Sequence, residues 1–210
     1  MSAPPVVEPP FEPGDDVPSR DARVAGVLLA AGTSSRYGEA NKLLSTVEGE
    51  PMVHRAARTL LAAGLDPVVV VLGHEADRVR EALADLDVAF VENPDYADGQ
   101  ATSVGAGVAA LPDDVNAAVF ALGDMPWVRT ATIDRLVAAY RAGAGTALAA
   151  AFEGTRGNPV LWDADHFDAL AGQSGDVGGR DLLLSTAGAA LVETGDPGTR
   201  RDVDRPADLD

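Results

Sequence analysis

The chain has 210 residues, 46% of them hydrophobic, which is enough for one domain with a substantial core. Its 33 acidic residues outnumber 16 basic ones, and the net charge of −17 argues against a nucleic-acid partner, whose phosphates would be repelled. The absence of cysteine excludes disulfides, thiolate catalysis and cysteine-ligated metal sites. No apolar run reaches the ~18 residues of a membrane span, and no signal peptide is visible. We expect a cytoplasmic globular protein with no membrane partner.

The charged residues are unusually distributed, with 23 aspartates, 15 arginines and one lysine, Lys42. Such an aspartate-rich, lysine-poor composition is typical of halophilic proteins, because ~1 M salt screens self-repulsion within ~3 Å. A GC-rich genome would also favour arginine, alanine and aspartate, so this explanation stays open beside salt adaptation. In a chain otherwise without lysine, Lys42 marks a position where arginine would not fit.

The first 22 residues differ from the rest, since they hold six of the fourteen prolines and little apolar periodicity. This composition cannot bury enough surface to offset the entropy of ordering. It predicts a disordered or loosely packed N-terminal tail over 1–22, followed by a single domain over 23–210.

From Val24 onward, short apolar runs alternate with helical patterns. Continuous β-branched runs are typical of parallel strands covered on both faces, and their alternation with helices favours a doubly wound sheet. The fold class is therefore α/β, a single-domain, mostly parallel, Rossmann-like sheet. The predicted strands cover 24–30, 67–73, 88–91, 117–122, 146–152, 158–162 and 189–193. The predicted helices lie near 51–64, 75–85, 102–111, 130–143, 163–171 and 179–186.

The loop after the first strand has the composition of an anion site. Ligands of open α/β sheets bind beyond the carboxyl ends of the strands, and small residues there let backbone amides approach a phosphate. Arg36 and Lys42 add two cations to this loop, which suits a polyphosphate. Neither GxxxxGK[ST] nor GxGxxG fits the segment, so a P-loop hydrolase and a dinucleotide oxidoreductase lose their main support.

Two carboxylates are candidates for a metal site. Asp124 follows the fourth strand in a Gly-Asp-Met-Pro segment, where it could hold Mg²⁺ against phosphate oxygens, although a Gly-Asp pair there is often a simple turn. Asp204 lies in the terminal segment 202–209, whose apolar spacing indicates that the chain end folds back towards the sheet.

Five segments now stand in one order along the chain. They are AAGTSSRYGEANKLL at 30–44, GDMP at 123–126, GNPVL at 157–161, GDVGGR at 175–180 and DVDRPADL at 202–209. Together they resemble the MobA-like nucleotidyltransferases, and most closely the molybdenum cofactor cytidylyltransferases. The resemblance extends over about 24–210. The chain departs from that subfamily at Asn158, where histidine is usual, at Gly179 (alanine) and at Arg205 (threonine).

The resemblance implies roles for the matching residues. Arg36, Lys42 and Asp124 would be catalytic, and Asp124 and Asp204 would bind Mg²⁺. Asn158 and Arg180 would contact the acceptor. The implied nucleotide-binding residues are Ala30, Ala31, Gly32, Thr33, Arg36, Lys42, Gly99, Gln100 and Ser103. Thr102 or Ser103 is also a plausible N-cap of the next helix.

The implied reaction is Mg²⁺-dependent transfer of CMP from CTP to the phosphate of molybdopterin, with release of pyrophosphate. Relatives that use GTP tend to carry Gly-Gly where this chain has Ala31-Gly32, so the Ala31 methyl could narrow the pocket toward a pyrimidine. A GTP-dependent molybdenum cofactor guanylyltransferase and another small-phosphate nucleotidyltransferase remain alternatives. A non-catalytic chaperone that hands the cofactor to a molybdoenzyme, and a redox role on the same scaffold, belong to different classes.

Overall fold

The computed structural model describes residues 3–11, 21–34, 37, 40–175 and 179–209. Over these residues the chain alternates between strands and helices along most of its length. The strands are β1 (Val6–Val7), β2 (Val24–Ala30), β3 (Thr46–Val47), β4 (Glu50–Pro51), β5 (Val68–Leu72), β6 (Ala89–Glu92), β7 (Ala117–Leu122), β8 (Ala147–Phe152), β9 (Thr155–Asp163) and β10 (Ala189–Glu193). The helices are α1 (Met52–Ala62), α2 (Ala76–Glu81), α3 (Gln100–Ala109), α4 (Thr130–Arg141), α5 (Phe167–Ala171) and α6 (Gly179–Ser185).

Eight of these strands form one sheet, in the order β1-β10-β8-β9-β7-β2-β5-β6. Every neighbouring pair is parallel except those of β9, which runs antiparallel to both β7 and β8. Strands β3 and β4 form a separate antiparallel pair. The predicted α/β class with a mostly parallel sheet is confirmed.

Helices cover both faces of the sheet, which explains the continuous apolar runs of its strands. Along β2, Leu28 belongs to the buried cluster beneath α1 and α4, whereas Val27 belongs to the cluster beneath α3, α5 and α6. Strand β5, which lies between β2 and β6, has the sequence VVVVL, and all five residues are buried. A strand with solvent on one face would instead alternate polar and apolar residues.

Most predicted elements lie where the sequence patterns indicated, with shifts at their ends. Helix α3 begins at Gln100, so Gly99 precedes it, and the prediction that Thr102 or Ser103 is its N-cap is wrong. The segment predicted as one helix at 163–171 is a 3₁₀ turn, Ala164–His166, followed by α5. Strands β1, β3 and β4 were not predicted, because two residues are too few to show a period.

Part of the predicted N-terminal tail joins the sheet. Val6 pairs with Leu191 in parallel β1 and β10, and the Leu191 amide donates to the Pro5 carbonyl at 2.8 Å. Residues 12–20 lie outside the described residues, so the domain boundary at 22/23 stays a prediction. Within the described residues, no helix is long and apolar enough to cross a membrane.

Backbone contacts join the loops at the carboxyl ends of three central strands. The Gly123 amide, just after β7, donates to the Leu29 carbonyl of β2 at 3.0 Å, and the His74 amide donates to Ala31 at 3.2 Å. Gly73 has to lack a side chain here, since a Cβ would lie 2.7 Å from the Cβ atoms of Ala31 and Tyr96. The loops after β2, β5 and β7 therefore form one continuous wall.

Candidate active site

A cleft of about 530 Å³ opens at this edge of the sheet. It brings together nine residues predicted to bind nucleotide or metal, from four separate segments of the chain. These are Ala31, Gly32, Thr33, Lys42, Gly99, Gln100, Ser103, Asp124 and Asp204. Ala30 lies in the core beneath the cleft. Arg36 lies outside the described residues. The roles of all these residues stay predictions.

The charged centre of the cleft is the ammonium of Lys42. Its Nζ lies 2.6 Å from Oδ2 of Asp124 and 3.3 Å from Oδ1 of Asp204. The side chains of Lys42 and Asp124 are only 14% and 19% exposed, and that of Asp204 is 38% exposed. The three residues predicted separately from sequence thus form one ionic cluster, in which one cation meets two carboxylates.

Burial and charge act in opposite directions on the two inner members of this cluster. Burial raises the pKa of the Asp124 carboxyl and the nearby Asp202 adds to this, although Lys42 opposes both. Burial alone would lower the pKa of Lys42, but the carboxylates of Asp124 and Asp204 outweigh it and raise that pKa. The ammonium is therefore held firmly in its charged form.

The carboxylates fit a divalent cation. Asp124 lines the cleft, and its Oδ1 is buried with no hydrogen-bond partner among the described residues, which leaves a lone pair available to a ligand. The described part of the chain contains no cluster of three or more histidine, cysteine or acidic ligands. Mg²⁺ is commonly bound by one or two carboxylates together with substrate phosphates. Asp124 and Asp204 match that donor set.

Two residues that the sequence analysis missed fix the position of Lys42. The Lys42 amide donates to Ser34 Oγ at 3.2 Å, and Asn41 Oδ1 accepts the Leu43 amide at 3.1 Å as N-cap of the 3₁₀ turn Lys42–Leu44. Ser34 and Asn41 are themselves buried. An asparagine directly before a short helical turn is a capping signal that could have identified Asn41.

The opposite wall of the cleft is the turn that enters α3. Gly99 has a φ of +115°, which favours glycine, and its carbonyl accepts the Thr102 hydroxyl at 2.8 Å. The buried Asn93 amide donates to Thr102 Oγ1 at 2.8 Å and to Ser103 Oγ at 3.0 Å. These bonds hold the turn in place, while Gln100 is exposed at the cleft.

The terminal segment folds back onto the sheet, as the sequence predicted. The Val203 amide donates to the Asp124 carbonyl at 3.0 Å, and the Val203 side chain is fully buried. Asp208 Oδ2 accepts the backbone amides of Asp204 at 2.9 Å and Arg205 at 2.7 Å. Asp204 is therefore anchored at its own backbone and at the residue before it.

The two predicted acceptor residues are separated by the sheet. Asn158 lies with Pro159 against a small apolar space of about 10 Å³ on the side of α1 and α4. Arg180 is exposed on α6, whose buried Leu183 packs on the other face. Neither residue lines the 530 Å³ cleft. Their role as acceptor contacts stays a prediction, and the structure does not bring them together.

Sequence comparison identifies related proteins. The model of the MobA-like NTP transferase domain matches residues 26–190. Nicotine blue oxidoreductase from Paenarthrobacter nicotinovorans is 36% identical over 189 residues, which cover 86% of this chain and 92% of that protein. The bifunctional protein GlmU of Kineococcus radiotolerans is 39% identical over 122 residues, 57% of this chain, but the match covers only 25% of GlmU.

Solved structures share the fold over about nine-tenths of this chain. Rv0371c from Mycobacterium tuberculosis H37Rv superimposes with a TM-score of 0.79 at 27% identity, covering 90% of this chain and 96% of that one. A structure of Rv0371c in complex with manganese gives a TM-score of 0.76 at 26% identity, with coverage of 89% and 95%. Together with the family match, which extends over most of the chain and includes Lys42 and Asp124, these likenesses support a nucleotidyltransferase that takes a nucleoside triphosphate. The chain belongs to the MobA-like NTP transferase family.

Proposed function

We propose that the protein transfers CMP from CTP to the phosphate of molybdopterin and releases pyrophosphate. The observation that carries the transferase proposal is the ionic cluster of Lys42, Asp124 and Asp204 inside the cleft. A binding protein for a nucleotide needs a cation for the phosphates, but it has no need for two converging carboxylates.

In the proposed reaction, an oxygen of the acceptor phosphate attacks the α-phosphorus of CTP, and the bond from that phosphorus to the bridging oxygen of pyrophosphate breaks. Lys42 would move from the carboxylates to the triphosphate and offset the charge of the departing pyrophosphate. The amides of Gly32 and Thr33 would position the phosphates. Arg36 would assist, as the resemblance implies.

A divalent metal, Mg²⁺ or Mn²⁺, bound by Asp124 and Asp204, would offset the repulsion between the two anionic substrates. The manganese complex of Rv0371c, a structural relative, supports the use of a divalent metal here. The unpartnered Asp124 Oδ1 supplies the local reason for placing it at this carboxylate.

The choice of CTP rests on the resemblance, with a GTP-dependent guanylyltransferase as the first alternative. Ala31 lines the cleft, but it is only 3% exposed and its side chain packs in the buried cluster. Its methyl group therefore has little surface to offer a base, and the turn at Gly99–Ser103 is the better candidate for base selection. Similarity to GlmU keeps another small-phosphate acceptor as the second alternative.

A redox function is the second candidate, because nicotine blue oxidoreductase matches over 92% of its length. Against it, the loop after β2 has no GxGxxG pattern, and hydride transfer has no need for paired metal carboxylates. A non-catalytic cofactor chaperone would not explain why the carboxylates of Asp124 and Asp204 converge in the cleft.

The test is pyrophosphate release with molybdenum-loaded molybdopterin, Mg²⁺ and molar KCl, offering CTP, GTP, ATP and UTP separately. We expect release with CTP alone, and its loss in Lys42→Ala. A preference for GTP would make the protein a guanylyltransferase, and nucleotide binding without release would favour the chaperone. Oxidation of NADH or NADPH by nicotine blue, in the absence of any triphosphate, would favour the oxidoreductase instead.

A further inference from the structure

Arg156, the second residue of β9, is a partly buried arginine without a counter-ion among the residues that the structure describes. It forms no hydrogen bond or ion pair with the part of the chain that the structure describes. By contrast Arg55, whose side chain is 18% exposed, pairs with Glu48 at 2.9 Å. In a chain with twice as many acids as bases, a partly buried and unpaired guanidinium is unexpected, because burying a charge without a partner is costly.

A second arginine, Arg180, increases the free-energy cost of burying the Arg156 charge. Burial lowers the pKa of Arg156, and repulsion from Arg180 lowers it further. Arg180 lies on α6, the helix whose first residue, Gly179, packs so close to Trp162 that a Cβ there would lie 3.1 Å from the indole ring. Two positive charges, one on the sheet and one on α6, therefore lie on the same side of the sheet.

The carboxylate of Glu193, which lies in the same row of the sheet as Arg156, already accepts hydrogen bonds from backbone amides. Arg156 pairs with Ala151 of β8, which pairs with Glu193 of β10, so the three residues lie side by side on one face. The Glu193 carboxylate accepts the backbone amides of Gly154 at 2.8 Å and Gly195 at 3.0 Å. It is engaged by the backbone of two turns and forms no ion pair with Arg156.

The position of Arg156 relates it to the metal side of the cleft. In the antiparallel pair of β7 and β9, Phe120 lies opposite Val160, so the residues of β9 that precede Val160 lie towards the edge of the sheet at which β7 ends. Arg156 thus stands at the same edge of the sheet as Asp124, one strand away. A ligand held there would bind at the same edge of the sheet as a nucleotide in the cleft.

We propose that Arg156, together with Arg180, binds the phosphate monoester group of the acceptor on the face of the sheet beneath α6. The proposal rests on the proposed function in one respect, namely that the acceptor carries the phosphate. Arg156 would then be the residue that selects a dianionic acceptor. It would have the acceptor-binding role that the resemblance implied for Asn158.

The test measures binding of a simple probe without any chemistry. Phenyl phosphate, with phenol as its uncharged control, is titrated calorimetrically into the full-length protein, with the nucleotide cleft filled by a non-hydrolysable CTP analogue and Mg²⁺. KCl is kept at the lowest concentration at which the protein stays folded, since salt weakens charge–charge attraction. We expect saturable binding of phenyl phosphate and none of phenol.

Substitutions locate the probe. Arg156→Met should weaken phenyl phosphate binding about tenfold or more, the loss expected for a charge-assisted hydrogen bond, and Arg156→Lys should retain part of it. The matched control is Arg135→Met on α4, because Arg135 is also partly buried, forms no ion pair with the described residues and lies on the opposite face of the sheet. Unchanged affinity in Arg156→Met, an equal loss in Arg135→Met, or no binding of phenyl phosphate to the wild type would overturn the proposal.

The melting temperature separates binding from folding. Because the Arg156 charge lacks a partner among the described residues, Arg156→Met should melt at or above the wild-type temperature. Phenyl phosphate should raise the melting temperature of the wild type and of Arg135→Met, but not that of Arg156→Met. Phenyl phosphate binding that depends on Arg156, without pyrophosphate release, would refute the transferase but leave this anion site standing. Pyrophosphate release that is insensitive to Arg156→Met would support the transferase but refute the role of Arg156 in acceptor binding.

Discussion

The two halves of the site treat their cations in opposite ways. On the nucleotide side, the Lys42 ammonium is matched by two carboxylates, and its backbone is fixed by Ser34 and Asn41. On the proposed acceptor side, Arg156 has no counter-ion among the described residues, and the like charge of Arg180 acts on it. The first half is thus neutralised by its own chain before any ligand arrives, whereas the second leaves its charge for a ligand to neutralise.

The largest expected effect comes from removing a charge on the matched side. Asp124→Asn keeps the shape of the side chain but loses the carboxylate next to Lys42 and in the proposed metal site. Pyrophosphate release should fall by about 10²–10³-fold, the loss typical of one electrostatic contact worth ~3–4 kcal/mol in the transition state. Asp114→Asn is the control, since Asp114 is an exposed carboxylate that pairs with Arg23. Activity of Asp124→Asn near the wild-type level would remove Asp124 from the mechanism.

Substitution of Lys42 by methionine tests whether the Lys42 ammonium occupies the position of a divalent cation. If it does, a divalent cation has to compete with the ammonium for Asp124 and Asp204 until a nucleotide draws Lys42 away. Lys42→Met should then tighten Mn²⁺ binding in the absence of nucleotide about tenfold, or ~1.4 kcal/mol, and weaken CTP binding. Electron paramagnetic resonance of free Mn²⁺ measures the first effect and calorimetry the second.

Lys42→Arg is the matched variant, because it keeps the charge and should not gain Mn²⁺ affinity. Tighter Mn²⁺ binding in both variants would mean that side-chain geometry, and not charge, limits access of the metal. Unchanged Mn²⁺ binding in Lys42→Met would show that the carboxylates accept a metal without displacing Lys42.

A smaller effect should follow from loosening the terminal segment. Asp208 touches neither Lys42 nor Asp124, but it accepts the backbone amides of Asp204 and Arg205. Asp208→Ala should reduce pyrophosphate release about three- to tenfold by freeing Asp204, consistent with the loss of one or two hydrogen bonds. As a positioning effect it should weaken Mn²⁺ binding in parallel, and Asp208→Asn should restore part of both. Reduced activity with unchanged Mn²⁺ affinity would argue against this role.

The cluster of Lys42, Asp124 and Asp204 was predictable because Lys42 and Asp124 lie in the loops that follow β2 and β7, and Asp204 lies in the terminal segment that returns to the sheet. Lys42 and Asp124 are 82 residues apart, yet the rule that ligands bind at the carboxyl ends of parallel strands places both at one edge. The pairing of Asp204 with Lys42 needed the chain end to fold back, which the apolar spacing around Val203 indicated.

The acceptor side was less predictable because its strand is irregular. Ala149 and Ala151 of β8 are two positions apart, while their partners on β9, Val160 and Arg156, are four positions apart. Strict alternation would place Asn158 and Arg156 on one face, but this bulge leaves Asn158 on the side of α1 and α4. Bulges of this kind arise from pairing between strands, so the sequence of β9 alone does not reveal them. The sequence also does not reveal that the Arg156 charge lacks a partner among the described residues, because this depends on which residues the fold brings next to it.

Glu193 is the acidic residue that lies in the same row of the sheet as Arg156. Its pKa is lowered because backbone amides of Gly154, Gly195 and their neighbours outweigh the opposing effect of burial. A carboxyl whose pKa is lower in the folded state stabilises the fold above its ordinary pKa of about 4.3, and that stability is lost as the pH falls through the lowered value. Glu193→Gln should therefore reduce the free energy of unfolding by about 1 kcal/mol at pH 7, and by progressively less below pH ~4.

Urea denaturation of the two proteins across this pH range measures the difference. Exchange of Glu193 for glutamine should leave phenyl phosphate binding nearly unchanged, because the carboxylate is bonded to the turns at Gly154 and Gly195 and does not neutralise Arg156. If the substitution instead tightened phenyl phosphate binding severalfold, Glu193 would be a competing counter-ion. The contrast between a matched and an unmatched half of the site would then weaken, because the acceptor side would also hold its cation with an acid of its own.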